Sequence, residues 1–256
     1  MQGAALALSI GMAVAAGLVG CFAVMRRMAL ASDAMSHVAL PGIGLALMFH
    51  FHPVLGGVAA LFVGTLMVWG LGRRTGISTE TVIGVVFSLA LAVGSMLATG
   101  DELVDALLGA PGTLGGWELA LGLAGSAVVV AFVLTQRNRL VLALVSADIA
   151  RTSGIRVARL ELVYLLAFAL TVALGLRYLG VLLMGSLVII PAATAKHLAR
   201  SLHGMFAIAV AVAVTSTVAG EIVAARIHRP TGPVIIAFAA ALFFTSLALR
   251  RRGHAG

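Results

Sequence analysis

Long apolar stretches, broken at short intervals by a few arginines, run through nearly the whole chain and constrain its fold more than any other feature. A helix needs about 20 apolar residues to cross the hydrocarbon core of a bilayer. Stretches that meet or approach this length lie at 3–25, 29–49, 53–72, 82–100, 117–135, 160–176, 178–195, 204–225 and 232–249. Of the 256 residues 61% are hydrophobic and only 10% charged, whereas a soluble domain carries about a quarter charged residues. So little charge cannot cover a water-facing surface, and the excess apolar side chains require lipid as their solvent. The pattern predicts an all-α polytopic membrane protein with about eight or nine transmembrane helices in one domain, 1–256. Two stretches are weak: 29–49 carries Asp33, His37 and Pro41, and 160–176 is short and contains Glu161. Eight spans with one re-entrant helix is the alternative count.

The formal net charge of +8 would suggest nucleic acid in a soluble protein. Here placement matters more than the sum, and lipid rather than nucleic acid is the expected partner. With the N-terminus outside, nine spans leave 14 Lys and Arg on the inside, among them Arg26, Arg27, Arg73, Arg74, Arg137 and Arg139, and 3 outside. The acidic Asp101, Glu102 and Asp105 then fall outside. Such asymmetry is what the positive-inside rule expects, and it predicts a bacterial inner-membrane protein with a cytoplasmic C-terminus. Leu18-Val19-Gly20-Cys21 has the form of a lipoprotein cleavage box, but Met1 to Ser9 carries no Lys or Arg. A signal peptide needs that positive region, so the segment reads as a first spanning helix. The single cysteine excludes an internal disulfide and any CxxC motif. No GxxxxGK[ST] sequence is present, so ATP hydrolysis by the P-loop route would have to reside in a separate subunit.

The longest inside segment, Gln136–Arg159, contains a stretch from Val145 to Gly154 that reads as a short helix. Ser146 or Asp148 can cap its start and Gly154 can end it.

Asp33 and His37 are the first candidates for chemistry. Four residues apart, they project from one helical face and can share one ligand. A carboxylate with an imidazole suits Zn²⁺, Mn²⁺ or Fe²⁺, and ionisable groups inside a span usually face a pathway or a partner. The following Pro41-Gly42 should interrupt the helix, as happens in helices that line cavities. The competing reading makes Ser32 and Asp33 caps of the second helix and His37 a hydrogen-bonded core residue. Two ligands are too few for a metal, so a site here needs another helix or a second copy of the chain. His50 and His52, at the outer end of the same span, are two apart and share no helical face; they read as interfacial residues beside Pro53, with outer metal handling the lesser alternative. Glu221, inside 204–225, is either a pathway residue or one partner of a structural pair, with Arg226 a turn away. Glu161 and Glu118 sit near span ends, where solvation is expected. No HExxH pair is present, so zinc hydrolase chemistry is excluded.

Several stretches together resemble one family. Gly20-Cys21-Phe22-Ala23-Val24-Met25-Arg26-Arg27-Met28 followed by Ser32-Asp33-Ala34-Met35-Ser36-His37-Val38-Ala39-Leu40-Pro41-Gly42 is similar to the N-terminal signature of the permeases of zinc, manganese and iron ABC importers, the ZnuB-like proteins. Ile83–Ser88, Asp148–Ile155, Val188–Ala195 and Pro230–Pro233 resemble further motifs of that family, in order along the chain. The resemblance implies a homodimeric membrane core, a pair of cytoplasmic ATPase subunits and an extracytoplasmic metal-binding protein as donor. It implies that Asp33 and His37 contact the passing metal, which is cargo and not a resident cofactor. It also implies that the element carrying Asp148, Ala150, Gly154 and Ile155 docks on the ATPase. Glu221 belongs to none of these motifs. A permease for a metal chelate or siderophore is the nearer alternative, although it leaves Asp33 and His37 without a purpose. An ATPase-independent secondary transporter is the other, and the chain is short for one.

Overall fold

The computed structural model describes residues 2–97, 115–178 and 181–252, and every regular element among them is helical. In chain order these are α1 (Gln2–Met25), α2 (Ala29–His37), α3 (Ala39–Met48), α4 (Pro53–Thr75), α5 (Thr79–Leu97), α6 (Gly116–Val145), α7 (Ala147–Thr152), α8 (Val157–Tyr178), α9 (Val181–Leu198), α10 (Leu202–Ile227) and α11 (Thr231–Arg252). Seven of them, α1, α4, α5, α6, α8, α10 and α11, are long and apolar enough to cross a membrane. The α2–α3 pair and the 18-residue α9 occupy the two remaining apolar stretches, in keeping with eight or nine spans. The acidic Asp101, Glu102 and Asp105 lie outside the described residues.

The innermost helix is α1. Its best apolar window is 78% buried, against 22–44% for the other six spans, because α6, α8, α9 and α10 all pack around it. The remaining spans keep a broad face outward, as lipid solvent permits. Small residues set the closest approaches: a β-carbon added at Gly20 would run into the carbonyl of Val188 on α9. Tyr164 on α8 is fully buried and donates to the carbonyl of Val19 (3.1 Å), tying α8 to α1.

A second cluster is built around α3. It packs on α4 through Gly42 and Gly56, each of which faces the other's backbone carbonyl with no room for a β-carbon. Small-residue contacts of this kind let helix backbones meet where the hydrophobic effect is absent. Valine at Gly42 or Gly56 has backbone, not a flexible side chain, in its way. We expect either variant to cost about 3 kcal/mol or more, read as lost thermal stability of the solubilised protein. Gly84→Ala, with nothing within 4 Å of the new methyl, should be neutral or slightly stabilising.

Three helix ends share one geometry. Arg27, His50 and His228 have positive φ (61°, 58° and 51°). In each case the next residue's N–H reaches back five residues, Met28 to Ala23, Phe51 to Ala46 and Arg229 to Ala224. This is the six-to-one bond of a Schellman cap. Arg27 thereby reverses the chain between α1 and α2.

The second apolar stretch is interrupted as expected, but one turn earlier than Pro41-Gly42. The break falls at Val38, and Pro41 sits in the first turn of α3. Pro41 has no N–H to offer the carbonyl of His37, and its ring crowds that group, so the helix parts at the residue after His37. The longest inside segment also departs from expectation: Gln136–Val145 continues α6 as one 30-residue helix. Nothing in that sequence stops a helix, and bilayer thickness limits an apolar span without limiting the helix that carries it. Only Ser146, the six-residue α7 and the Ser153–Arg156 turn separate α6 from α8.

Candidate functional site

Asp33 lies in the second turn of α2, a helix that packs on α5, α8 and α9. The cap of α2 is Met28, with no side-chain hydrogen bond, so neither Ser32 nor Asp33 caps the helix. Ser32 is buried and its hydroxyl donates to the carbonyl of Gly185 on α9 (3.2 Å), while Ser36 donates to the carbonyl of Ser32 (2.8 Å). The first bond ties the inner face of α2 to α9, and the second stays within α2. Asp33, on the adjoining face, is exposed at the surface of the single chain.

Gly185 sets how close the two helices come. A β-carbon there would stand 3.0 Å from both the Cα and the Oδ1 of Asp33. The carboxylate therefore lies over bare α9 backbone. One turn along α2, the His37 ring packs against Phe87 of α5, with centroids 5.7 Å apart. Its Nδ1 is buried and has no hydrogen-bond partner, so His37 is not the hydrogen-bonded core residue of the competing reading. A buried ring nitrogen without a partner is costly unless something pairs with it. No group of three or more His, Cys, Asp or Glu assembles among the described residues. Alone, the chain offers a potential metal two ligands from one helical face, and further donors must come from outside it.

Three of the sequence stretches that carried the family resemblance meet in space. Gly20 packs on Val188 and Ala192, His37 on Phe87, and Ser32 on Gly185, one turn before the Val188–Ala195 segment. Residues 1–250 match the ABC 3 transport family. The chain belongs to that family. Among its relatives is the high-affinity zinc uptake system membrane protein ZnuB of Haemophilus influenzae, 30% identical over 240 residues and covering 91% of this chain and 92% of the relative. The manganese transport system membrane protein MntC of Halalkalibacterium halodurans is 28% identical, covering 93% and 84%. Among solved structures, PsaBC from Streptococcus pneumoniae in complex with Fab aligns with a TM-score of 0.80 at 24% identity, over 94% of this chain and 89% of that chain. That likeness shows the same fold.

In this ABC 3 family member, the other candidate residues are dispersed. His50 and His52 are both exposed in the turn between α3 and α4, His50 as the left-handed cap residue and His52 as the extended residue preceding Pro53. The cap accounts for the backbone of His50 without any ligand. Glu221 on α10 is half-buried and hydrogen-bonded by the side chain of Ser9 on α1. Arg226 is exposed, and no ion pair between the two is found among the described residues. Neither Glu221 nor the two histidines joins the Asp33–His37 face.

The short helix falls close to where the sequence places it. Ser146 caps α7 by accepting from the N–H of Ile149, Ala150 is fully buried, and Gly154 ends the turn at φ +79°. Asp148 is exposed and pairs with Arg151 at 2.8 Å. Glu161, expected to be solvated, instead lies 3.5 Å from the guanidinium of Arg26, which also sits over the Tyr164 ring at 5.0 Å. Glu118 accepts from the N–H of Gly115 at the start of α6. Sequence reasoning missed Gly185 and Phe87 as neighbours of the pair. A glycine inside an apolar helix was the available signal for the first; the second lay within the Ile83–Ser88 stretch of the family resemblance, which did not name its partner.

Proposed function

We propose that this chain is the membrane permease of an ATP-driven importer that carries a divalent transition metal, zinc, manganese or iron, into the cytoplasm. The observation that carries the reading is the outward face of α2. It presents an exposed carboxylate and, one turn away, the half-buried imidazole of His37, whose Nδ1 is buried without a partner. Two such faces meeting across a two-fold axis supply four donors, a full shell for Zn²⁺ and a partial one for Mn²⁺. Relatives named for zinc uptake and manganese transport support the class of cargo. The energy source is a separate ATPase pair docked on α7, and an extracytoplasmic protein delivers the metal. The metal binds in transit, held well enough to shed water and weakly enough to leave.

The test is uptake of each metal into cells or proteoliposomes carrying the permease with its ATPase. ATP-dependent accumulation of at least one of the three is expected; accumulation that needs no ATPase would overturn the reading in favour of a secondary transporter.

The reading also fixes orientation: α7 and the turn at Ser153 face the cytoplasm. Ser153 is exposed and the native Cys21 is buried, so Ser153→Cys is a clean reporter. A membrane-impermeant maleimide should fail to label it in intact cells and succeed after permeabilisation. Labelling of intact cells would reverse the assigned topology.

A further inference from the structure

A cleft of about 470 Å³ opens where the end of α4, the turn after α7 and the start of α8 converge. Its walls include Arg73, Arg151, Arg156, Val157, Ala158 and Glu161. The one carboxylate in this set already faces Arg26, and Arg151 shares Asp148 in an ion pair exposed to solvent. Arg73 and Arg156 make no ion pair among the described residues; Arg73 instead lies over the Trp69 ring at 5.1 Å. The indole N–H of Trp69 donates to the carbonyl of Ala158 (3.0 Å), pinning α4 to α8 and holding the cleft's wall in place. The cleft is thus preformed and carries uncompensated positive charge.

A second hollow, about 440 Å³, begins at the same arginine and runs back along α4. Its lining includes Leu66, Met67, Trp69, Gly70 and Leu71, with Arg73 and Arg74 at its mouth. Leu66, Met67 and Leu71 are each at least 40% exposed, on a helix that spans the bilayer. Cationic cleft and apolar groove therefore share Arg73 as their boundary. A free phosphate would use only the first; a molecule with an anionic head and acyl chains uses both.

We propose that this composite site binds an anionic phospholipid, its phosphate among Arg73, Arg151 and Arg156 and an acyl chain along Leu66, Met67 and Gly70. Basic pockets between spans on the cytoplasmic side are suited to such headgroups, and guanidinium groups match phosphate geometry. The inference rests on the membrane-spanning fold and not on the identity of the cargo.

The protein contains two tryptophans, and Trp69 lines the groove, so Trp117→Phe leaves a single reporter at the site. In nanodiscs of fixed composition, acyl-brominated phosphatidylglycerol should quench Trp69 at a mole fraction about tenfold lower than acyl-brominated phosphatidylcholine. Replacing Arg151 and Arg156 together by Gln should remove most of that tenfold preference. Arg139→Gln, an exposed arginine on α6 that lines neither hollow, should leave it unchanged. Equal quenching by the two lipids, or a preference that survives the double variant, would overturn the site. A loss with Arg139→Gln as large as with the double variant would reduce the effect to general surface charge. Relief of quenching by millimolar inorganic phosphate at constant ionic strength would make the cleft a soluble-anion site and overturn the lipid assignment.

Discussion

Replacing Asp33 by Asn is expected to lower metal uptake by about 100-fold or more while leaving the permease folded and assembled. The two side chains are nearly isosteric, so the close approach of α2 to Gly185, with 3.0 Å from a notional β-carbon to Oδ1, is kept. Helix propensities of Asp and Asn are similar, and the residue lies past the N-terminal turn of α2, where it caps nothing. What the substitution removes is the negative charge and the anionic oxygen donors. Loss of a group that merely supports a metal ligand typically costs ten- to a hundredfold, so loss of a ligand should cost at least the upper end. His37→Ala should behave alike. Gly185→Ala should give a lesser defect, because its methyl pushes on the carboxylate without abolishing it. The measurement is initial uptake rate of the candidate metal, with membrane level and ATPase co-purification as controls. An Asp33→Asn permease that imports at the normal rate would remove the carboxylate from the pathway.

The fold was legible because the spanning pattern is written in composition: nine apolar stretches became seven continuous spans, a split pair and α9. The helix breaks were legible only in part. Pro41 announced an interruption, but its effect acts four residues back on the carbonyl of His37, so the break appears at Val38. The extension of α6 to Val145 was hidden because hydropathy marks where lipid ends and is silent on where a helix ends. For the site, spacing alone placed Asp33 and His37 on one face. It could not separate a ligand from a cap, since that distinction depends on where α2 begins. The chain reversal at Arg27 starts α2 at Ala29 and so removes the cap reading of Asp33, and a left-handed arginine is not readable from local sequence. The partners of the pair, Gly185 and Phe87, come from helices roughly 150 and 50 residues away in sequence. No periodicity argument reaches that far.

The second large effect concerns α7. Gly154→Pro should abolish uptake while the permease still inserts and accumulates. Gly154 closes α7 in the left-handed region at φ +79°, where its N–H donates to the carbonyl of Arg151 and the following Ile155 N–H reaches Ala150. Proline fixes φ near −65° and has no N–H, so it removes both the conformation and one of the closing bonds. A six-residue helix has little stability of its own, whereas the flanking α6 and α8 run 30 and 22 residues and are held by the bundle. The damage should stay in α7. Gly154→Ala is milder, costing about 1–2 kcal/mol for a left-handed alanine, and should only reduce uptake. Ala150→Arg, which forces a cation into a fully buried position, should act like the proline. The docking surface has its own test in Ile149 and Val145, apolar side chains left 55% and 73% exposed at this end of the bundle. Because Ile149 supports little in the isolated chain, Ile149→Asp should leave the fold intact and weaken ATPase binding, seen as loss of co-purification. If Ile149→Asp and Gly154→Pro both retained the ATPase and full uptake, α7 would not be the element that couples hydrolysis to transport.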